Sequence, residues 1–239
     1  MNIEILLLII VAVVIIYFAT KFLTKTVKII TKVILLIVVV LVFLTILSYK
    51  DMMDVRTGFE KNNNTFFLYE NNKLSTAVML KPITSDNLTM ESVNYFTKDE
   101  LEEFEKNIEA KDYKSLLNNN NKIFIVKSNL LDKPYNINLG ANLDQEDLLS
   151  MIWSEDPFLI LAQKSQENYD MNIDRLKENF KEIYGTEETF KGYIFAGLII
   201  NIFFNKQETG DLTKNLKTGD LKIYPESISF KISKYLPWA

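Results

Sequence analysis

Two strongly apolar runs separated by lysines open the chain. The runs are Ile5–Ala19 and Val33–Leu47, and apolar flanking residues extend each toward the roughly 20 residues that a helix needs to cross a bilayer core. The first glycine is Gly58 and the first proline is Pro82, so the strong helix breakers begin only after both runs. The pattern predicts two spanning helices, at about 3–23 and 27–48.

Four lysines mark the predicted turn between these helices. Lys21, Lys25, Lys28 and Lys32 recur at steps of four, three and four. Short lysine-rich loops stay on the cytoplasmic side of a membrane, and their side chains can reach the headgroups. We therefore expect these lysines to set the topology and contact membrane lipids, with the turn inside and both termini outside. A binding site for acidic headgroups or an acidic partner is the sharper interpretation of the same residues.

A single long, bent helix and a cleaved signal peptide are the alternatives to this transmembrane hairpin. The single long helix is disfavoured because both of its halves are too apolar to leave the membrane. The segment Leu44–Lys50 lacks a small-residue cleavage pattern, and a membrane segment precedes it. The sequence thus predicts a membrane anchor at 1–50, a juxtamembrane connection at 51–64 and an extracytoplasmic domain at 65–239.

The predicted extracytoplasmic domain begins with strand patterns. Thr65–Tyr69 is rich in β-forming residues, and Lys73–Leu80 has alternating character. Asn71-Asn72 between them suits left-handed turn geometry. These features predict a β-hairpin. Leu88–Tyr95 is a weaker strand pattern, and Lys122–Lys127 reads as a short buried strand bounded by turn residues.

Helix signals dominate the middle of the chain. Thr97 with Glu100 forms a capping-box pattern at the start of a helix that we expect to end near Asn118. A short helix is predicted over Asp144–Ser154. Asp156-Pro157 is an N-cap followed by proline at the first helical position, and that helix is predicted to run toward Tyr184, before Gly185.

The third apolar run, Tyr193–Phe204, lies in a further helix. About 12 apolar residues with an internal asparagine are too short for an ordinary span. We expect the central core helix of the domain, with a short third span and a surface docking patch as the alternatives.

Turn and strand patterns close the chain. Two consecutive nine-residue segments, TGDLTKNLK at Thr209 and TGDLKIYPE at Thr218, begin with the same four residues, and this TGDL echo predicts a repeated turn. Leu221–Tyr224 and Ser227–Lys234 flank Pro225-Glu226 and predict a second hairpin. The predicted fold class is therefore an N-terminal transmembrane helical hairpin followed by an α+β domain, with β-hairpins at its start and end and helices in the middle.

Composition removes several chemistries. The chain has 239 residues, a formal charge of −4 and neither cysteine nor histidine. Disulfides, thiolate chemistry, Ser–His–Asp triads and histidine-ligated metals are therefore excluded. Five lysines and Glu4 give residues 1–50 a net charge of +4, which leaves −8 for residues 51–239. An acidic domain argues against nucleic-acid binding.

No motif names a reaction. The S-x-x-K, G-x-S-x-G and phosphate-loop patterns are missing, and Asp144, Glu146 and Asp147 suit the first turn of a helix. We assign no catalytic, cofactor-binding or metal-ligating residues and expect no cofactor. The architecture suggests an interaction or scaffold subunit of a cell-envelope complex, with a protein partner in the envelope. A ligand-binding or sensory domain and a carboxylate-dependent hydrolase are the alternatives.

Overall fold

A computed structural model describes residues 3–22, 25–82, 92–117, 120–131, 139–166, 172–204, 209–227 and 230–231. The chain divides into two compact units, Met1–Met52 and Met53–Ala239. The elements, in chain order, are α1 (Ile3–Phe22), α2 (Lys25–Lys61), β1 (Asn64–Glu70), β2 (Lys73–Leu80), β3 (Val93–Tyr95), α3 (Lys98–Glu109), α4 (Tyr113–Leu117), β4 (Lys122–Val126), a 3-10 turn (Ser128–Leu131), α5 (Gln145–Trp153), α6 (Pro157–Gln166), α7 (Ile173–Tyr184), α8 (Glu187–Phe204), α9 (Thr209–Thr218) and β5 (Leu221–Tyr224).

One helix of the described chain is long and apolar enough to cross a membrane. It covers Val27–Lys61. The most apolar 18 residues of this helix have a mean hydropathy of 3.1, and none of them is buried. The shorter apolar stretch Ile9–Ala19 lies in α1. The structure thus gives one candidate span, and the predicted hairpin of two spans is not shown.

Helix α2 continues well beyond the predicted end of the second apolar run. Residues 51–61 are helical where a connection was expected. Val55 and Phe59 are buried, one helical turn apart on the same face, and both belong to the core of the second unit. The final turns of α2 therefore help to build this core. The predicted domain boundaries themselves stay predictions.

A five-stranded mixed sheet with the order β3-β2-β1-β4-β5 forms the centre of the second unit. The predicted first hairpin is confirmed: β1 and β2 pair antiparallel, and Asn71 and Asn72 have φ values of 53° and 60°. The predicted strand after Asn121 is also confirmed, as β4. It pairs parallel to β1 and antiparallel to β5.

Helices cover both faces of the sheet. On one face, α5, α6, α7 and α8 enclose the larger apolar cluster, which includes Phe66, Phe124 and Phe203. The predicted core role of the third apolar run is confirmed, because Ile194, Phe195 and most of its apolar neighbours in α8 are buried.

The opposite face carries a smaller cluster under α3 and α4, built on Phe67, Ile123 and Ile125. The alternation of side chains along each strand sends neighbouring residues to different faces. The predicted capping box is confirmed: the Glu100 amide donates to Thr97 Oγ1, and the Thr97 amide donates to the Glu100 carboxylate. This helix ends earlier than expected, at Glu109, where Lys111 (φ 58°) reverses the chain into α4.

Two more predictions need correction. The helix that begins at Pro157 ends at Gln166, and a separate helix, α7, begins at Ile173, so one helix to Tyr184 was wrong. Residues 167–171 between them lie outside the described chain. Asn172 caps α7 by accepting the Asp174 amide, which explains a new start at this point.

The C-terminal region also differs from prediction. The first copy of the TGDL echo forms helix α9, and only the second leads through Gly219 (φ 77°) into β5. β5 pairs with β4 in place of a following strand. The predicted strand 227–234 is wrong at Phe230 and Lys231, which are helical, and most of its other residues lie outside the described chain. The second predicted hairpin is therefore not present in the part that can be described.

Candidate functional site

The four lysines predicted to set the topology lie in the first unit. Lys21 is near the end of α1, and Lys25 is the first residue of α2, followed on the same helix by Lys28 and Lys32. Lys21, Lys28 and Lys32 are exposed, and the Lys25 side chain lies outside the described atoms. Lys28 and Lys32 are one turn apart on a common face of α2. Their role at a membrane stays a prediction.

The second unit carries an aromatic groove on the α3–α4 side of the sheet, which we call the tyrosine groove. It consists of two cavities of about 320 and 210 Å³, and both are lined by Tyr113, Ile125 and Lys222. Tyr69 lines the larger cavity and Tyr224 the smaller. The rings of Tyr113 and Tyr224 lie 5.7 Å apart between centroids, at 40°.

Strand register supplies the base of the groove. Ile123 pairs with Tyr224 across the β4–β5 ladder, and Ile125 pairs with Lys222 two residues away. Directly paired residues lie on the same face of a sheet, and so do residues two positions apart along a strand. These four side chains therefore all point to the α3–α4 side. The base is apolar, because Ile123 and Ile125 are buried, whereas Lys222 is exposed.

A tight turn positions the third tyrosine. The chain reverses at Lys111, and Asp112 accepts hydrogen bonds from both the amide and the hydroxyl of Ser115. These bonds cap the short helix α4 at its start, and they hold the pKa of Asp112 below its ordinary value. Tyr113, the first residue of α4, is thereby placed over the sheet beside Tyr224.

Charged groups of both signs surround the aromatic rings. Glu109, Lys111 and Lys222 line the larger cavity together with Tyr69. Burial raises the pKa of Tyr69, and the nearby carboxylates Glu109 and Glu105 raise it further. The Tyr69 phenol therefore stays protonated across the physiological range and can donate a hydrogen bond to a ligand.

Local sequence patterns carry little sign of this groove. Tyr69, Tyr113 and Tyr224 are far apart along the chain, and Tyr69 and Tyr224 read only as ends of strands. The parallel pairing of β1 with β4 and the reversal at Lys111 bring them to one face. The available signal was the pair Lys222 and Tyr224, which lie two positions apart on one strand and therefore on the same face of the sheet.

The carboxylates considered as catalytic candidates are used for structure. Asp144 accepts the Asp147 amide, and the Asp147 carboxylate accepts the Asp144 amide, which closes a capping box on α5. Asp147 also pairs with Lys164 at 2.7 Å. Burial raises the pKa of Asp147, but the bonds from Lys164 and Asp144 outweigh it, so the net shift is downward. Within the described residues, no group of three or more acidic side chains could hold a metal ion.

Comparison of the chain with known protein families, with curated protein sequences and with solved structures found no match. The chemistry of the tyrosine groove therefore follows from its own residues. Phenol rings over an apolar base, with ammonium and carboxylate groups at the rim, are suited to binding a ligand that has both apolar and polar groups.

Proposed function

We propose that this chain is a membrane-anchored interaction protein, whose second unit docks an extended peptide segment of a partner protein in the tyrosine groove. The observation that carries the proposal is the convergence of Tyr69, Tyr113 and Tyr224 on one face of the sheet. Tyrosine, with its large rigid ring and polar end, is enriched among the residues that contribute most to protein–protein binding.

The rim of the tyrosine groove supports a peptide as its occupant. Lys111 and Lys222 offer ammonium donors, Glu109 offers an acceptor, and the base between them is apolar. An apolar centre with a polar, charged rim is the usual anatomy of a protein interface. A peptide presents apolar side chains and hydrogen-bonding backbone groups together, so it can use both parts of the groove.

Removal of the tyrosine rings tests this proposal. The full chain would be purified in mild detergent as wild type, as Tyr113→Ala/Tyr224→Ala and as Ile183→Ala, whose exposed side chain lies on α7 outside the groove. We expect a stoichiometric partner with wild type and Ile183→Ala, and at least about 30-fold weaker binding by the double variant, the loss that follows from about 2 kcal/mol at a binding hot spot. Circular dichroism would check that all three fold alike.

Two outcomes of this experiment contradict the proposal. One is recovery of the wild-type chain without any stoichiometric partner. The other is a partner that is retained equally by the double variant, since the contact would then lie outside the tyrosine groove. The predicted alternatives, a sensory or ligand-binding domain and a carboxylate-dependent hydrolase, stay predictions.

We further propose that the two apolar runs form a transmembrane hairpin with both termini and the second unit outside the cell membrane. The supporting observations are one helix long enough to span, a shorter apolar stretch in α1, and exposed lysines at 21, 28 and 32. Lysine-rich turns remain cytoplasmic, so this arrangement places the acidic residues 51–239 outside.

Cysteine labelling of intact cells tests this topology. The natural chain has no cysteine, so it serves as the control that should not be labelled. A membrane-impermeant maleimide should label Glu103→Cys, on the exposed side of α3, and should leave Thr24→Cys unlabelled until the cells are opened. Labelling of Thr24→Cys but not Glu103→Cys would reverse the proposed orientation. Labelling of neither would place both positions inside.

A further inference from the structure

A further cavity, of about 210 Å³, lies at the start of β2, among residues of β2, α3 and α8 and the end of α5. We call it the Lys191 pocket. Seven charged side chains line it: the lysines Lys73, Lys98 and Lys191, and the glutamates Glu102, Glu105, Glu155 and Glu188. It shares no lining residue with the tyrosine groove.

Lys191 is the unusual member of this set. Its side chain is half-buried on α8, yet within the described residues it forms neither an ion pair nor a hydrogen bond. Burial lowers the pKa of Lys191, while Glu188, Glu187 and Glu155 act against that shift from a distance. A half-buried ammonium without a partner among the described residues costs free energy, so a bound anionic group would be stabilised here.

The walls of the pocket are fixed by bonds that do not involve Lys191. Glu105 accepts the Leu74 amide at 2.6 Å, which holds α3 against β2. The Trp153 indole donates to Ser128 Oγ at 3.0 Å, and Ser75 Oγ donates to the Ile152 carbonyl at 2.6 Å. The cavity is thus formed by the fold itself, which is typical of a small-molecule site.

The balance of charge selects the class of ligand. Four carboxylates and three ammonium groups line the pocket, so a simple anion would pair with Lys191 but face repulsion from the glutamates. A simple cation would leave Lys191 without a partner. A molecule with both charges satisfies both sets, and a cavity of about 210 Å³ is smaller than the roughly 300–1,000 Å³ of drug-sized sites.

We propose that the Lys191 pocket binds a free α-amino acid, with its carboxylate on Lys191 and its ammonium group among Glu155 and Glu188. The two charged groups of an amino acid are held close together, which suits a pocket whose opposite charges share one small cavity. The site is independent of the tyrosine groove, so either proposal can fail without the other.

Thermal unfolding of the full chain in detergent tests the proposal. The probes are the twenty protein amino acids, each at 2 mM, and propionate and ethylamine, which carry only one of the charges of alanine. Binding with a Kd near 20 μM should raise Tm by at least about 5 °C for one or more amino acids. The single-charge analogues should raise it by less than about 1 °C.

Two variants make the result specific to the pocket. Lys191→Met removes the proposed carboxylate partner and should abolish the shift. It is not expected to weaken the fold, because Lys191 has no ion pair with any described residue. Lys106→Met is the matched control, since it removes an exposed lysine of α3 outside the pocket and should retain the full shift. Glu188→Gln should reduce the shift.

Three results would overturn the proposal. The first is the absence of a shift with all twenty amino acids. The second is an equal shift in wild type and Lys191→Met, which would locate the binding elsewhere. The third is a shift with propionate or ethylamine as large as that with the best amino acid, which would show that one charge suffices.

Discussion

The bare Cα of Gly192 on α8 lies against the ring of Tyr95 on β3. A Cβ placed on Gly192 would be 2.7 Å from Tyr95 Cδ1 and 3.3 Å from Val78 Cγ1. The first of these distances is well inside van der Waals contact. Glycine at this position therefore sets how closely the central helix approaches the sheet, and α8 packs on β2 and β3 as a result.

Gly192→Ala should destabilise the second unit. Overpacking costs about 1–3 kcal/mol, and the better helix propensity of alanine returns up to about 1 kcal/mol. We expect a net loss of up to about 2 kcal/mol in the free energy of unfolding, measured by urea denaturation. The same change in a Tyr95→Ala background should cost clearly less, because the closer of the two contacts is gone. An equal cost in both backgrounds would mean that Tyr95 is not the obstacle.

Local signals in the sequence were reliable where neighbouring residues decide the structure. The capping box of Thr97 and Glu100 and the turn at Asn71-Asn72 depend on residues within three or four positions, and both are present. The groove tyrosines show the limit of this reasoning. Tyr113 and Tyr224 meet only because of strand order and register, which depend on pairing between distant segments.

The end of α2 shows a different limit. This segment has the polar composition of a connection because it contains Asp51, Asp54 and Lys61. Among these residues the four-residue spacing of Val55 and Phe59 is hard to recognise. That spacing marks an amphipathic helix with one buried face. Two apolar residues are too few to stand out in a sequence, although they are enough to join the final turns of a helix to a core.

Phe59→Ala should therefore be strongly destabilising. Phe59 lies 5.4 Å from the ring of Phe124 and 5.5 Å from that of Phe203, between centroids, and is 3% exposed. Truncation of a buried phenylalanine costs about 3–5 kcal/mol. Chemical denaturation of the full chain in detergent would measure the loss. Glu60→Ala, on the exposed side of the same turn, should change stability by no more than about 0.5 kcal/mol.

Lys191→Met should change the pH dependence of stability even without a ligand. Burial lowers the pKa of Lys191 in the folded chain, so charged Lys191 opposes folding at neutral pH. This penalty fades as the pH rises from the folded pKa toward about 10.4, the ordinary value for lysine. The variant should be at least as stable as wild type at pH 7, and the two should converge by about pH 10.5. A variant that is less stable at pH 7 would show that Lys191 has a stabilising partner.

The ion pair between Asp156 and Lys177 joins the start of α6 to α7, and it should make stability sensitive to acid. Asp156 accepts the Leu159 amide at 3.1 Å as the cap of α6, and its other oxygen accepts from Lys177. Burial raises the pKa of Asp156, but the bonds from Lys177 and Leu159 outweigh that effect and lower it overall. A carboxylate with a lowered folded pKa stabilises the chain above about pH 4, and this contribution is lost as the pH falls through the folded pKa.

Asp156→Asn separates the charge from the cap, because asparagine caps a helix about as well as aspartate. Asp156→Asn should therefore be less stable than wild type at pH 7, with the difference shrinking as the pH falls below about 4. Asp156→Ala should lose about 1 kcal/mol more than Asp156→Asn at every pH, since it also removes the cap. Denaturation curves from pH 2 to pH 7 would test both expectations. A difference between wild type and Asp156→Asn that stays constant down to pH 2 would mean that the Asp156–Lys177 pair contributes nothing through its charge.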